Sequence, residues 1–125
     1  MPDQHSDPKT LLFVYGTLRQ GCSNHQLLQN ARYVGKGHSR RRYSLYVDDF
    51  PYVLKDGETS TIQGEVYEVD LQTWHEVDIL EGHPHWYCRE REEILLDSGE
   101  TVLAWMYFFP ESRGELIPDG DFLCR

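Results

Sequence analysis

The stretch Ile62-Gln63-Gly64-Glu65-Val66-Tyr67-Glu68-Val69-Asp70, continuing as Leu71-Gln72-Thr73-Trp74-His75-Glu76-Val77-Asp78-Ile79-Leu80-Glu81-Gly82, decides the reading of the fold. Its first half alternates. Ile62, Gly64, Val66 and Glu68 share one side, and Gln63, Glu65, Tyr67 and Val69 the other, which is the period of a strand. Gly64 inside that strand marks a close approach of another backbone. Asp70 is then a good N-cap. The spacing predicts a helix from Leu71 to about Leu80, closed at Gly82 with Pro84 just beyond.

On either side of this unit the pattern is mostly strand. Tyr87 to Leu96, the turn Asp97-Ser98-Gly99-Glu100, and Thr101 to Phe109 read as a β-hairpin. Leu11-Leu12-Phe13-Val14-Tyr15 is a short apolar run stopped by Gly16, as in a buried strand. Gly16 to Gly21 reads as a loop. Ser23 then opens a short helix, with Gln26 as its capping-box partner and Leu27, Leu28 and Ala31 on its apolar side. Tyr43 to Val47 is strand-like, and Asp49-Phe50-Pro51 and Lys55-Asp56-Gly57 are turn signals. The segment from Pro110 to Arg125 reads as irregular. Strands outnumber helices and do not alternate regularly with them, so the fold class is α+β.

A chain of 125 residues, 39% of them hydrophobic, predicts one domain spanning 11–125, with residues 1–10 as a loose polar tail. The net charge of −9 is the wrong sign for a general nucleic-acid binder. No apolar run approaches membrane-spanning length, and residues 1–10 lack the apolar core of a signal peptide. Cys22, Cys88 and Cys124 are widely spaced. An odd count without a leader points to a reducing compartment. The expectation is a soluble, cytoplasmic protein.

Glu81 is the sharpest chemical signal. At about 100° per residue, with Leu71 at zero, Trp74 falls near ~300°, Val77 near ~240° and Glu81 near ~280°. The carboxylate therefore projects from the apolar arc. It also sits at the helix C-terminus, where the macrodipole opposes negative charge. Burial and the helix end both raise a carboxyl pKa. A shift from ~4.3 toward ~6–7 would suit it to proton transfer. The alternative is an unwound last turn with Glu81 in water. Asp78, one turn earlier, is an exposed flank or a support for Glu81.

The exit from the first strand, Gly16-Thr17-Leu18, is the second signal. A turn there can aim successive backbone N–H groups at a carboxylate or a developing oxyanion. Taken alone it is also an ordinary strand exit.

Rival signals are weaker. His83-x-His85-x-x-Cys88 has metal-ligand chemistry but no second half, and reads better as a loop at a pocket rim. Cys22 before a helix start, with His25 nearby, could make an activated thiol, or be structural. Gly35-Lys36-Gly37 with Arg40-Arg41-Arg42 is an incomplete phosphate motif and reads as a solvated strand face.

Four pieces in order carry a resemblance. They are Val14-Tyr15-Gly16-Thr17-Leu18-Arg19 with Gly21 and Asn24-His25; Gly64-Glu65-Val66-Tyr67-Glu68-Val69; Asp78-Ile79-Leu80-Glu81-Gly82 with Pro84, Tyr87 and Arg89; and Ala104-Trp105-Met106-Tyr107. From about Leu12 to Tyr107 the chain resembles the gamma-glutamylcyclotransferase family, closest to the gamma-glutamylamine cyclotransferase branch and its bacterial relatives. It departs from that pattern at Leu80, where the family often has an aromatic residue, and at His83 and His85.

The resemblance implies a compact mixed β-barrel with a few short helices. It implies that Tyr15, Gly16, Thr17 and Leu18 hold the substrate, that Glu81 is the acid/base residue and that Tyr107 lies near the pocket. The implied reaction turns a gamma-glutamyl amine or gamma-glutamyl amino acid into 5-oxoproline and a free amine, with no metal or cofactor. The rival class is a non-enzymatic binding module holding a small carboxylate or amide in the same pocket. Residues 48–61 are expected on the variable side of that pocket. Arg19, Arg89 and Arg91 are carboxylate partners or surface charges. The amine half of the substrate and the oligomeric state stay open.

Overall fold

The computed structural model describes residues 10–83, 87–111 and 114–123. Apart from Thr10, the expected tail over 1–10 lies outside them. Five strands close a barrel: β1 (Thr10–Val14), β5 (Gln63–Val69), β2 (Arg32–Ser39), β6 (Cys88–Leu96) and β7 (Thr101–Phe108), in the order β1-β5-β2-β6-β7. The seam between β1 and β7 is parallel, with Leu12 opposite Trp105, and the other pairings are antiparallel. The barrel is mixed, as the resemblance implied. A three-stranded sheet, β4 (Pro51–Leu54), β3 (Ser44–Val47) and β8 (Glu115–Ile117), stands beside it.

Strand alternation divides the apolar side chains into two cores. Phe13, Val66, Ile94, Ala104 and Met106 belong to one. Their strand neighbours Leu12, Val14, Tyr67 and Tyr107 belong to the second, which also takes Val77 from α1 (Leu71–Glu81). The second core glues the helix and the loop after β1 to the barrel wall. Complete burial of Leu12 and Val77 contributes about 1.5–3 kcal/mol each.

The unit 62–82 forms as its sequence dictates. The Asp70 carboxylate accepts from the Thr73 N–H at 2.8 Å. Gly82 ends the helix in the left-handed region, with φ 68°. A Cβ on Gly64 would stand 2.3 Å from the Val14 carbonyl oxygen, so the strand needs glycine at that approach.

Two expectations fail. The helix expected from Ser23 is a 3-10 turn, His25–Leu28, capped by Asn24 without a side-chain cap bond. Only Leu28 is buried there, which is too little apolar contact to hold a full α-helix. The region after Pro110 is not wholly irregular, because β8 pairs with β3. Among the described residues no helix is long and apolar enough to cross a membrane.

Candidate active site

β1 delivers the chain to the loop that starts at Gly16, and α1 ends at Glu81. Both line one cavity of about 400 Å³. Tyr15, Gly16, Thr17, Leu18, Glu81 and Tyr107, the six residues singled out from the sequence, all reach it.

Main-chain bonds hold the loop. The Arg19 N–H donates to the Gly16 carbonyl at 3.0 Å, and the Asn24 N–H to the Thr17 carbonyl at 2.9 Å. Asn24 also donates through Nδ2 to Thr17 Oγ1 at 2.9 Å. His25 Nδ1 lies 2.9 Å from the Leu18 carbonyl oxygen. Below the loop, Glu65 accepts from the Gln20 N–H at 3.0 Å and from the Tyr67 hydroxyl at 2.8 Å. Among the described residues none accepts a hydrogen bond from the amides of Gly16, Thr17 or Leu18. Gly16 is not in the left-handed region. Its need for glycine is steric, since a Cβ would lie 2.6 Å from Pro51 Cγ.

Glu81 occupies the buried arc of α1 beside Val77. Removal from water pushes its carboxyl up to about 7, with the nearby Asp78 carboxylate adding to the shift. Asp78 is not an exposed flank. Arg89 Nε and Nη2 donate to its two oxygens at 2.9 and 3.3 Å, and the Tyr107 hydroxyl donates to Oδ1. The Arg89 guanidinium also stands 4.2 Å from the Trp74 ring centre and 4.8 Å from that of Trp105.

The aromatic hydroxyls are committed to the protein. Tyr15 donates to the Tyr107 carbonyl at 2.8 Å, and Tyr87 to the Pro51 carbonyl at 2.9 Å. Burial raises the pKa of Tyr15, Tyr87 and Tyr107 above the usual phenol value. Tyr15 therefore presents its ring, not its hydroxyl, to the cavity.

Several lining residues escaped sequence reasoning. In the sequence Phe50 and Pro51 carry only a turn signal within the variable segment, yet Pro51 begins β4 and both border the cavity. Asn24, Leu80 and Tyr87 border it as well. Their signal in the sequence was membership of the matching motif segments, without a role. Arg19 is no free carboxylate partner. It is buried, 2.7 Å from Asp121 Oδ1, 2.9 Å from the Phe122 carbonyl and 3.5 Å from Glu65. Cys22, considered as a thiol nucleophile in a reducing compartment, is disulfide-bonded. His85, in the weighed metal pattern, lies outside the described residues, and among those described no cluster of His, Cys, Asp or Glu could hold a metal.

The family model described as "Gamma-glutamyl cyclotransferase, AIG2-like" matches residues 12–124. A relative from Methanocaldococcus jannaschii, provisionally named a gamma-glutamylcyclotransferase, is 48% identical over 112 residues, covering 89% of this chain and 93% of its own. A gamma-glutamylcyclotransferase family protein of Escherichia coli is 33% identical over 117 residues, covering 91% and 96%. Among solved structures, an AIG2-like protein from Mus musculus superposes with a TM-score of 0.73 at 28% identity, over 82% of this chain and 78% of that one. An uncharacterised Pyrococcus horikoshii protein gives 0.71 at 30% identity, over 90% and 89%.

Proposed function

The chain belongs to the gamma-glutamyl cyclotransferase, AIG2-like family and is an enzyme of that type, and from this premise we propose that it releases 5-oxoproline and a free amine from a gamma-glutamyl amide, with Glu81 as general acid/base. The observation that carries the reading is that one cavity is lined both by Glu81, its carboxyl pushed up to about 7 by burial, and by the loop at 16–18, whose three amides have no acceptor among the described residues.

The substrate's own α-amine attacks its own γ-carbonyl. A five-membered ring forms, so a folded substrate already holds its reacting atoms together. Orientation of this kind can contribute ~7–11 kcal/mol to lowering the barrier. The amine enters as an ammonium, and Glu81 takes one proton from it before attack. The attacking nitrogen sheds a second proton from the tetrahedral adduct, and as the C–N bond breaks the departing nitrogen gains two in all, Glu81 carrying them one at a time, so that the amine leaves as an ammonium. No enzyme nucleophile and no water enters the balance.

No cationic side chain is among the described cavity residues, so the amides of Gly16, Thr17 and Leu18 are the provision for the α-carboxylate. A donor not engaged by the carboxylate faces the γ-carbonyl oxygen as it gains charge. Thr17 accepts from Asn24, which leaves its own hydroxyl proton able to donate into the cavity.

The test is 5-oxoproline release from a panel of gamma-glutamyl compounds by wild type and Glu81→Gln. Glu81→Gln should lose at least about a hundredfold in kcat while still binding substrate. An unchanged rate would remove Glu81 from the chemistry. Failure of every compound would leave the binding-module reading.

A further inference from the structure

The amides of Gly16, Thr17 and Leu18 can grip a substrate only while the bend that carries them keeps its place relative to Glu81. The bonds within the loop, from the Arg19 N–H to the Gly16 carbonyl and from the Asn24 N–H to the Thr17 carbonyl, fix its shape. They do not fix its position, because both partners of each bond move together. Position comes from anchors outside the loop. Tyr15 supplies one before the bend, through its bond to the Tyr107 carbonyl. Arg19 and Gln20 supply the other, just after it.

Glu65 receives this second anchor. It lies on β5 opposite Val14, the last residue of β1, and is buried. Its carboxylate accepts from the Gln20 N–H at 3.0 Å and stands 3.5 Å from Arg19 Nε. Arg19, itself buried, donates through Nη1 to Asp121 Oδ1 at 2.7 Å and to the Phe122 carbonyl at 2.9 Å. The segment that brings Asp121 there is seated on the same strand. The Gly120 carbonyl accepts from the Gln63 N–H at 2.9 Å, and a Cβ on Gly120 would stand 2.1 Å from the Thr61 carbonyl oxygen. Gln63 and Glu65 both belong to β5, so one strand roots both partners of Arg19.

Hydrogen bonds between ionised groups are short and stronger than neutral ones, and a guanidinium offers them in a fixed fork. Arg19 is therefore a stiff bracket between Glu65 and the segment at 121–122. None of Arg19, Glu65 and Asp121 is among the described residues that line the cavity. Their influence on a bound substrate passes through the loop.

We infer that Arg19, Glu65 and Asp121 are positioning residues, forming a lock that runs from 121–122 through Arg19 to Glu65 and sets where the three amides meet the glutamyl carboxylate. This rests on the proposed cyclotransferase reading of the same cavity.

Asp121 is the place to open the lock, because its side chain is 33% exposed and can be changed without disturbing the core. Steady-state kinetics are measured on the gamma-glutamyl compound that wild type turns over fastest, at a temperature where circular dichroism shows each variant folded. One redox buffer serves throughout, since Cys22 is disulfide-bonded. Asp121→Ala should raise KM by about fivefold or more and leave kcat within about twofold, the pattern of lost binding common to ground and transition states. Asp121→Asn keeps an oxygen for Arg19 and should return KM to within about twofold of wild type. Arg19→Lys keeps the charge without the fork and should raise KM as Asp121→Ala does. Arg32→Ala breaks an exposed ion pair to Glu68 on the same strand and should leave both constants unchanged.

A wild-type KM in both Asp121→Ala and Arg19→Lys, even with stability reduced, overturns the inference and leaves the cyclotransferase reading standing. So does an asparagine that restores nothing, or an equal rise in KM for Arg32→Ala. Absence of 5-oxoproline from every gamma-glutamyl compound with wild type overturns the cyclotransferase reading and the inference with it.

Discussion

Asp78 and Glu81 leave the last turns of α1 three residues apart, and Asp78 holds the cation. Arg89 and Tyr107 bond Asp78, while Glu81 faces the cavity with its carboxyl raised to about 7 by burial first and by Asp78 second. The pair is a division of labour in which one carboxylate is tied to Arg89 and Tyr107 and the other is left able to exchange a proton near neutrality.

This arrangement sets opposite pH trends for activity and stability. As a base, Glu81 must be ionised, so kcat/KM should rise through about pH 7 and level off above it. For stability the sign is reversed. In the unfolded chain the group titrates near 4.5, and in the folded protein near 7. Its contribution is complete below pH 4.5 and is lost as pH climbs through 7. Glu81→Gln, neutral throughout, should therefore be inactive yet more stable than wild type at pH 8 by about 1–3 kcal/mol, allowing for partial solvent access. Urea unfolding at pH 5 and pH 8 measures this, and a variant with wild-type pH dependence would count against it.

Arg89 acts on the site through Asp78. Replacing it with Met leaves Asp78 without its cation, and the Asp78 charge then bears more heavily on Glu81. The activity limb near pH 7 should move upward. Stability should fall by roughly 1–3 kcal/mol, less than for a fully buried pair because both side chains keep some solvent contact. Asp78→Asn removes the charge itself and should move the limb downward. Limbs that move the same way in both variants would refute the electrostatic link.

The sequence announced local structure better than long-range partnership. Asp70, Gly82 and the apolar arc define α1 and the direction of Glu81 from residues within one helix. The hairpin of β6 and β7 is equally local. By contrast, β8 is three residues long, exposed at two of them, and gains its place by pairing with β3 some seventy positions earlier. No periodicity can signal that. The bonds from Arg89 and Tyr107 to Asp78 join residues 11 and 29 positions apart, and Phe50 and Pro51 reach the cavity because β4 folds toward the loop at Gly16. Such neighbours become visible once the strands are ordered around the barrel.

Tyr15 shows how a residue can line the cavity without offering its polar atom to it. Its hydroxyl donates to the Tyr107 carbonyl, 92 residues away in sequence. Tyr15→Phe strips that carbonyl of its buried donor and should cost about 1–3 kcal/mol. The pH midpoint of kcat/KM should stay at its wild-type value, because the hydroxyl carries no proton of the reaction. Chemical unfolding and a pH-rate profile on one preparation read both. A displaced midpoint would give Tyr15 a part in proton transfer.

Gly16 and Pro51 supply the sharpest test of the loop. A methyl group on residue 16 would meet Pro51 Cγ at 2.6 Å, closer than carbon atoms tolerate. The backbone of residue 16 is not in a glycine-only conformation, so Gly16→Ala acts by collision alone. Either the loop or β4 must retreat. Because the amides at 16–18 are proposed to grip the glutamyl carboxylate, a retreating loop should raise KM more than it lowers kcat, and kcat/KM should drop by at least about tenfold. Overpacking should also cost about 1–3 kcal/mol of stability. The double variant Gly16→Ala/Pro51→Ala removes the obstructing ring and should recover much of both losses. Recovery of stability without recovery of KM would mean that the loop's position is not what holds the substrate.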